Sequence, residues 1–251
     1  MEANTLQFFD LDPFSTKSLL LDGTNDYVDC GTDIGDALGD NYAGDLTVSL
    51  WFKTDVTSGS DGLFSIGPLG SAYAPLEIYI WNDDLYFKLA VQAWGRSVAF
   101  TDTTNWNHLA CVYKEGSEAN SKMYLNGVET GATTGTFPAS SAMDFDGVKT
   151  FIGAYYATGN VFDGNIDDVS VFNSALSETQ IVDILYRNGR PGDLSSLSPL
   201  GWWKMGENVG GTGAIEDDGS GTSEGTLVNG PAFSTDTSPD LAKFSSRSIL
   251  F

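Results

Sequence analysis

The chain has 251 residues, 41% hydrophobic and 12% aromatic, which suffices for one large β domain or two small ones and excludes wholesale disorder. Twelve Lys and Arg stand against 34 Asp and Glu, a formal net charge of −22, so phosphate backbones are repelled and nucleic-acid binding is excluded. No apolar run approaches the roughly 18 residues of a membrane span, so no membrane insertion is expected.

MEANTLQFFDLDPF at the start has neither a basic segment nor a long apolar core, so it does not read as a secretion leader. Residues 1–17 read as an acidic, Pro-containing arm. Ser18 to Leu21 is the first strand, and Asp22-Gly23-Thr24-Asn25-Asp26 is a turn dense in Asx chemistry. Tyr27, Val28 and Cys30 resume a strand. Residues 33–45, punctuated by Gly and Asp, read as a loop. In LTVSLWFK at 46–53, Leu46, Val48, Leu50 and Phe52 alternate with Thr47, Ser49, Trp51 and Lys53, the period of a strand with one buried face.

Leu63 to Ile66 is short and apolar. Leu76 to Trp81 and Leu85 to Val91 flank Asn82-Asp83-Asp84, a hairpin by pattern. Ser97 to Phe100 and Trp106 to Tyr113 follow. Lys122 to Leu125 and Val128 to Thr130 enclose Asn126-Gly127, a strong hairpin-turn dipeptide. Residues 131–148 read as a loose connection. From Phe151 a strand, an acidic turn and a second strand, Ile166 to Phe172, lead to a change of period. Ser177 with Gln180 three residues on is a capping box, Ile181, Ile184 and Leu185 share one helical face, and Gly189 with Pro191 stops the helix. Beyond a Ser/Gly/Pro bridge, Leu200 to Met205 and Thr226 to Val228 read as further strands, and Ser248 to Phe251 is an apolar end. Many short strands between Gly-rich turns predict an all-β chain with two packed antiparallel sheets and one short helix near 177–188. Cys30 and Cys111 sit in apolar strand-like runs; free buried thiols are the expectation and a single bridge the alternative.

Four blocks stand out together: LLLDGTNDYVDCG at 19–31, LTVSLWFK at 46–53, WNHLACVYKEG with SKMYLNGVETG inside 106–131, and FIGAYYATGNVFDGNIDDVSVFNSALSETQI at 151–181. In content and order they resemble the laminin-G-like branch of the concanavalin A-like lectin and glucanase superfamily, as found in bacteria and viruses. The resemblance implies a jelly-roll β-sandwich over 18–190. It also implies a supplementary strand segment at 191–236, packing on the sandwich or on a neighbouring subunit, and a tail at 237–251. LGWWKMGE and the Gly-rich run to Asp236 resemble a segment that usually precedes the first block in this family; here it follows the helix.

The family includes glycan-binding modules, adhesive domains and glycoside hydrolases. Hydrolases of this kind carry alternating acids, E-x-D-x-x-E, on one strand, and nothing here matches. Glu216, Asp217, Asp218 and Glu224 lie in a Gly-rich loop, and adjacent Asp167 and Asp168 point to opposite strand faces. His108, the lone histidine, reads as structural. The chain is therefore expected not to be an enzyme. The family often holds a structural calcium near the first and last blocks, so Asp22, Asp26, Asp163 and Asp167 are candidate ligands; the competing reading makes them turn and loop formers. Sugar C–H faces pack on rings, and Tyr73, Trp81, Trp94, Tyr155 and Tyr156 lie in or beside loops, whereas Trp51, Trp106, Trp202 and Trp203 fall in strands. The resemblance implies a structural and adhesive protein on a phage particle surface, a capsid decoration or fibre, with other virion proteins, further copies of itself and a host-surface glycan as partners. The alternative is a carbohydrate-binding module of a secreted or cell-surface system, and a glycoside hydrolase ranks last.

Overall fold

The structure is a computed structural model, and it describes residues 15–68, 74–89, 93–138, 143–155, 160–187, 189–207 and 213–239. The strands are β1 (Ser18–Asp22), β2 (Tyr27–Asp29), β3 (Leu46–Thr54), β4 (Ser60–Ile66), β5 (Leu76–Trp81), β6 (Asp84–Leu89), β7 (Trp94–Ala99) and β8 (Asn107–Tyr113). They continue as β9 (Lys122–Leu125), β10 (Val128–Thr130), β11 (Ala132–Gly135), β12 (Thr150–Ile152) and β13 (Asp163–Phe172). The last three are β14 (Gly201–Trp203), β15 (Thr226–Val228) and β16 (Ala232–Ser234).

Two antiparallel sheets form a sandwich. Sheet I runs β10-β9-β8-β3-β13-β1-β16, with β14 also paired to β13, and sheet II runs β11-β7-β6-β5-β4-β12-β2-β15. Period-two alternation aims one row of each strand into the shared core. Leu46, Val48, Leu50 and Phe52 of β3 meet Ile78, Ile80, Leu85 and Phe87 of β5 and β6 there. The segment after the helix completes the same sandwich: β14 joins sheet I through β13, β15 joins sheet II through β2, and β16 borders β1.

Three local readings are corrected. Residues 33–45 contain a short helix, α1 (Asp33–Leu38), because Ile34 and Leu38, one turn apart, both reach the core. The stretch 131–148 includes β11, an edge strand of small residues paired to β7. The strand at 97–100 begins earlier, at Trp94. The later helix forms as expected: the Ser177–Gln180 capping box is closed on α2 (Glu178–Gln180), which passes into a π-wound turn, Ile181–Leu185.

The two outer faces differ. That of sheet I is covered, because Ile181 and Leu185 of the helix, with Leu194 and Trp202 beyond it, pack on Ala110, Val112, Tyr124 and Phe172. Hence Thr47, Ser49 and Trp51, the outward row of β3, are as buried as the inward row. Among the described residues no helix covers β4 to β7 of sheet II; Ala154, Tyr155 and Asn160 lie over Gly62 and Ser65 of β4, the outward row of β6, Asp84, Tyr86 and Lys88, stays half-buried, and Trp81 of β5 is exposed.

Candidate functional site

Strand register sets three outward rows on sheet II. The first is Ser60, Trp81, Asp84 and Ala99; the second is Gly62, Tyr79, Tyr86 and Ser97; the third is Ser65, Glu77, Lys88 and Gly95. Large rings stand in the middle of the first two rows; at the β4 end Ala154, Tyr155 and Asn160 lie over Gly62, and the Ser65 hydroxyl donates to the Ala154 carbonyl. Tyr155 stacks on Tyr79 at 4.3 Å and Tyr79 on Tyr86 at 5.0 Å, and Trp81 leans on Tyr86 at 6.2 Å with an interplanar angle of 47°. The tyrosine faces therefore cover one another, with the Ser60 hydroxyl bonded to that of Tyr155. Trp81 is 48% exposed, the one exposed aromatic among the described residues.

The hairpin tip beside Trp81 is tightly held. Asn82 and Asp83 have φ of 48° and 65°, the left-handed pair that a two-residue turn requires. Their amides donate to the Gly59 and Thr57 carbonyls, Thr57 Oγ1 donates to Asp83 Oδ1, and the Phe100 amide donates to the Asp83 carbonyl. A ring on such a strand end needs little ordering to meet a flat ligand face.

Acids crowd this end of the sandwich. Asp84 stands opposite Trp81 and accepts from the Tyr86 hydroxyl at 3.4 Å. Asp61 is buried, and that burial, with the Asp163 charge adding to it, pushes its carboxyl up to about 6. Burial, then Asp55 and Asp22, raises Asp163. Lys88 is the cation of the three rows; its Nζ donates to Thr134 Oγ1 and lies 5.4 Å from the Tyr86 ring centre, and burial lowers its pKa.

The two acidic turns do meet, since Asp22 pairs with Asp163 across β1 and β13. The four aspartates are nevertheless not gathered into one cluster. Asp22 Oδ1 accepts from the Thr24 and Asn25 amides, the turn-forming role, which holds that carboxyl low. Asp26 is buried beside the turn, and its carboxyl is raised by burial and then by Asp22. Asp167 faces elsewhere, its Oδ2 accepting from Ser15 Oγ and from the Ser238 amide and hydroxyl. Among the described residues no group of three or more His, Cys, Asp or Glu side chains could hold a metal ion.

Two of the predicted ring positions turn out to be packed. Trp94 is 0% exposed, wedged against Phe87 and Phe137 with its Nε1 donating to Glu118, because it begins β7 on the inward side. Tyr155 lies on the aromatic face but is buried by its own stacking. Tyr73 and Tyr156 lie outside the described residues. Tyr79 and Tyr86 were missed, although the hairpin pattern already put both on the same face as Trp81. Also missed was Glu207, whose Oε1 accepts from the Thr16 and Lys17 amides beside Asp167. Burial raises Asp167 strongly and takes Asp168 to about 7. Asp168 sits at a bulge with φ of 46° and accepts from Trp202 Nε1, and both neighbours are buried. His108 is buried and held neutral, at about 3, on Ser49 Oγ and under Trp51. Cys30 and Cys111 are free and buried.

The family described as the Concanavalin A-like lectin/glucanases superfamily matches residues 22–182. No curated protein matches. Among solved structures, a Bacteroides ovatus protein assigned as carbohydrate binding superposes with a TM-score of 0.61 at 19% identity, over 91% of this chain and 62% of that one. This chain thus spans less than two thirds of that protein's length. The carbohydrate-binding module of the Ruminococcus gnavus IT-sialidase, bound to α2,3 sialyllactose, gives 0.45 at 19% identity over 66% and 94% of the two chains. Domain 4 of an extracellular arabinanase from Geobacillus stearothermophilus, in complex with arabinotriose, gives 0.44 at 21% identity over 66% and 75%.

Proposed function

The chain belongs to the concanavalin A-like lectin/glucanase superfamily, and on that premise we propose that it is a non-enzymatic carbohydrate-binding protein that seats a sugar ring on Trp81. The observation that carries this reading is Trp81 itself, half exposed at the end of β5 and beside stacked tyrosines. An indole in that position offers a flat apolar face to the C–H side of a pyranose, and Asp84 and the Tyr86 hydroxyl supply polar contacts at its edge. The strongly shifted acids Asp167 and Asp168 are buried under chain segments, which suits a structural role rather than acid–base work on a substrate. A glycan array followed by calorimetric titration tests the reading: reproducible ligands are expected, with binding lost in Trp81→Ala while the melting curve is retained. Silence across neutral, amine-bearing and acidic glycans would overturn it.

We further propose that the protein sits outside cells, on a particle surface as a capsid decoration or fibre component. The net charge of −22 favours a solvent-facing setting that does not adhere to nucleic acid. No helix among the described residues is long and apolar enough to cross a membrane. Capsid, portal or tail genes beside this one support the particle setting; polysaccharide-degradation genes move the protein to a secreted or cell-surface system.

A further inference from the structure

The surroundings of Trp81 are acidic well beyond the single carboxylate that faces it. Asp83 and Asp84 follow it at the hairpin tip, and Asp84 is its register partner. Asp61, paired to Ile80 of the inward row, is buried on the other side of the strand from Trp81, so it adds to the field from behind and not to the rim. Behind Asp61, the charge of Asp163 reaches it, and those of Asp55 and Asp22 reach Asp163 in turn. The Asp55 amide donates to the Asp163 carbonyl, which ties the two strand ends together. Lys53 is paired with Asp236 at 2.7 Å, and Lys88, which keeps its charge while donating to Thr134, stands two rows away from Trp81, so the carboxylates are the nearer charges. An aromatic platform with a carboxylate rim is complementary to a ligand that combines an apolar ring face with positive charge.

Resting on the glycan-binding reading, we infer that the Trp81 site selects glycans bearing free amino groups over neutral ones and rejects glycans bearing carboxylates. Trp81 supplies the contact common to all sugars, and Asp84, with Asp83 beside it, supplies the sign of the discrimination. Rim charges of this kind interact through high-dielectric solvent, so the preference is modest and is screened by salt over a Debye length of about 10 Å at 0.1 M.

The test uses the full chain and three oligosaccharides of equal length: a neutral glucan, a fully deacetylated glucosamine oligomer and a uronic acid oligomer. Binding is read by calorimetry and by tryptophan fluorescence at about 10 mM and about 500 mM NaCl. The amine-bearing oligomer is expected to bind about 3- to 10-fold more tightly than the neutral one at low salt, and the uronate more weakly than the neutral one. The ratio should approach one at high salt, narrow in Asp84→Asn, and vanish with all binding in Trp81→Ala. A uronate that binds as tightly as the neutral glucan, or an amine-bearing oligomer no tighter than it, overturns the inference while leaving the glycan reading standing. So does an amine-bearing oligomer held equally by Trp81→Ala, which would report general attraction to an acidic protein. Failure of all three oligomers to bind counts against the glycan reading itself.

Discussion

Trp81 ends β5 on the outward side of sheet II, where it is exposed, and Trp94 begins β7 on the inward side, so the same side chain has unequal costs of removal. Trp94→Ala should lower unfolding free energy by about 3–5 kcal/mol, the range for a large aromatic cut from a core. Trp81→Ala should change it by less than about 0.5 kcal/mol. Urea melts of the two variants check this, and a large loss at Trp81 would make it a packing residue. Titration is also decided residue by residue. Asp61 at about 6 and Asp168 at about 7 are raised by burial, so the folded state prefers their protonated forms. Their contribution is full below the unfolded carboxylate value of about 3.9 and is lost as pH climbs through the folded values. Asp102 works in the opposite sense: its carboxyl, at about 2, is held down by Thr104 and Asn105 donors against some burial, and its contribution is lost as pH falls below about 4. Melting temperature should therefore be higher at pH 5 than at pH 7.5. Asp168→Asn, a residue tolerant of the left-handed backbone there, should flatten that slope; an unchanged slope would sink the assignment.

Among the elements, the helix after β13 illustrates how local signals and tertiary cover combine. Its start was readable because a capping box is a contact between residues three apart, and the Ser177 hydroxyl does accept from the Gln180 amide. Ser177→Ala should cost about 0.5–2 kcal/mol of stability in denaturant melts. No loss would mean that packing of Ile181 and Leu185 alone holds the helix. Its winding as a π turn was not readable, since it follows from fitting Ile181 and Leu185 over Ala110 and Val112 of β8. Similarly, α1 was hidden by Gly and Asp in 33–45, because six residues are too few for periodicity to outweigh turn composition.

For the whole molecule, β14 to β16 are integral rather than appended. Trp203, Met205 and Ile215 belong to the main core, and β15 and β16 border β2 and β1. A chain cut at residue 190 should lose its cooperative melt and near-ultraviolet dichroism, because three strands and those core side chains leave with it. A stable, cooperatively folded fragment would show the 200–236 segment to be dispensable. The acidic end of the sandwich gathers negative charge without a shared ion cage, so calcium added to chelator-treated protein should shift the melting temperature by less than about 1 °C. A saturable, stoichiometric shift lost in Asp22→Asn and Asp163→Asn would place calcium between those paired residues.

By itself, the sequence determined what depends on near neighbours: the strand alternation in LTVSLWFK, the hairpin turns within Asn82-Asp83-Asp84 and at Asn126-Gly127, and the helix cap at Ser177. Each is a relation between residues a few positions apart, and such relations survive any arrangement of the rest. The tertiary structure alone decided which outward rows are covered. Trp51 and Trp81 have equivalent places at the outward side of a strand, yet Tyr186 at the end of the helix stacks on the first, which is buried, while the second is exposed. It also decided the fate of Asp167, whose partners Ser15 and Ser238 lie 152 and 71 residues away in the chain. Exposure and buried polar pairing are properties of what packs on top, and that is fixed only when distant segments close over the sheets.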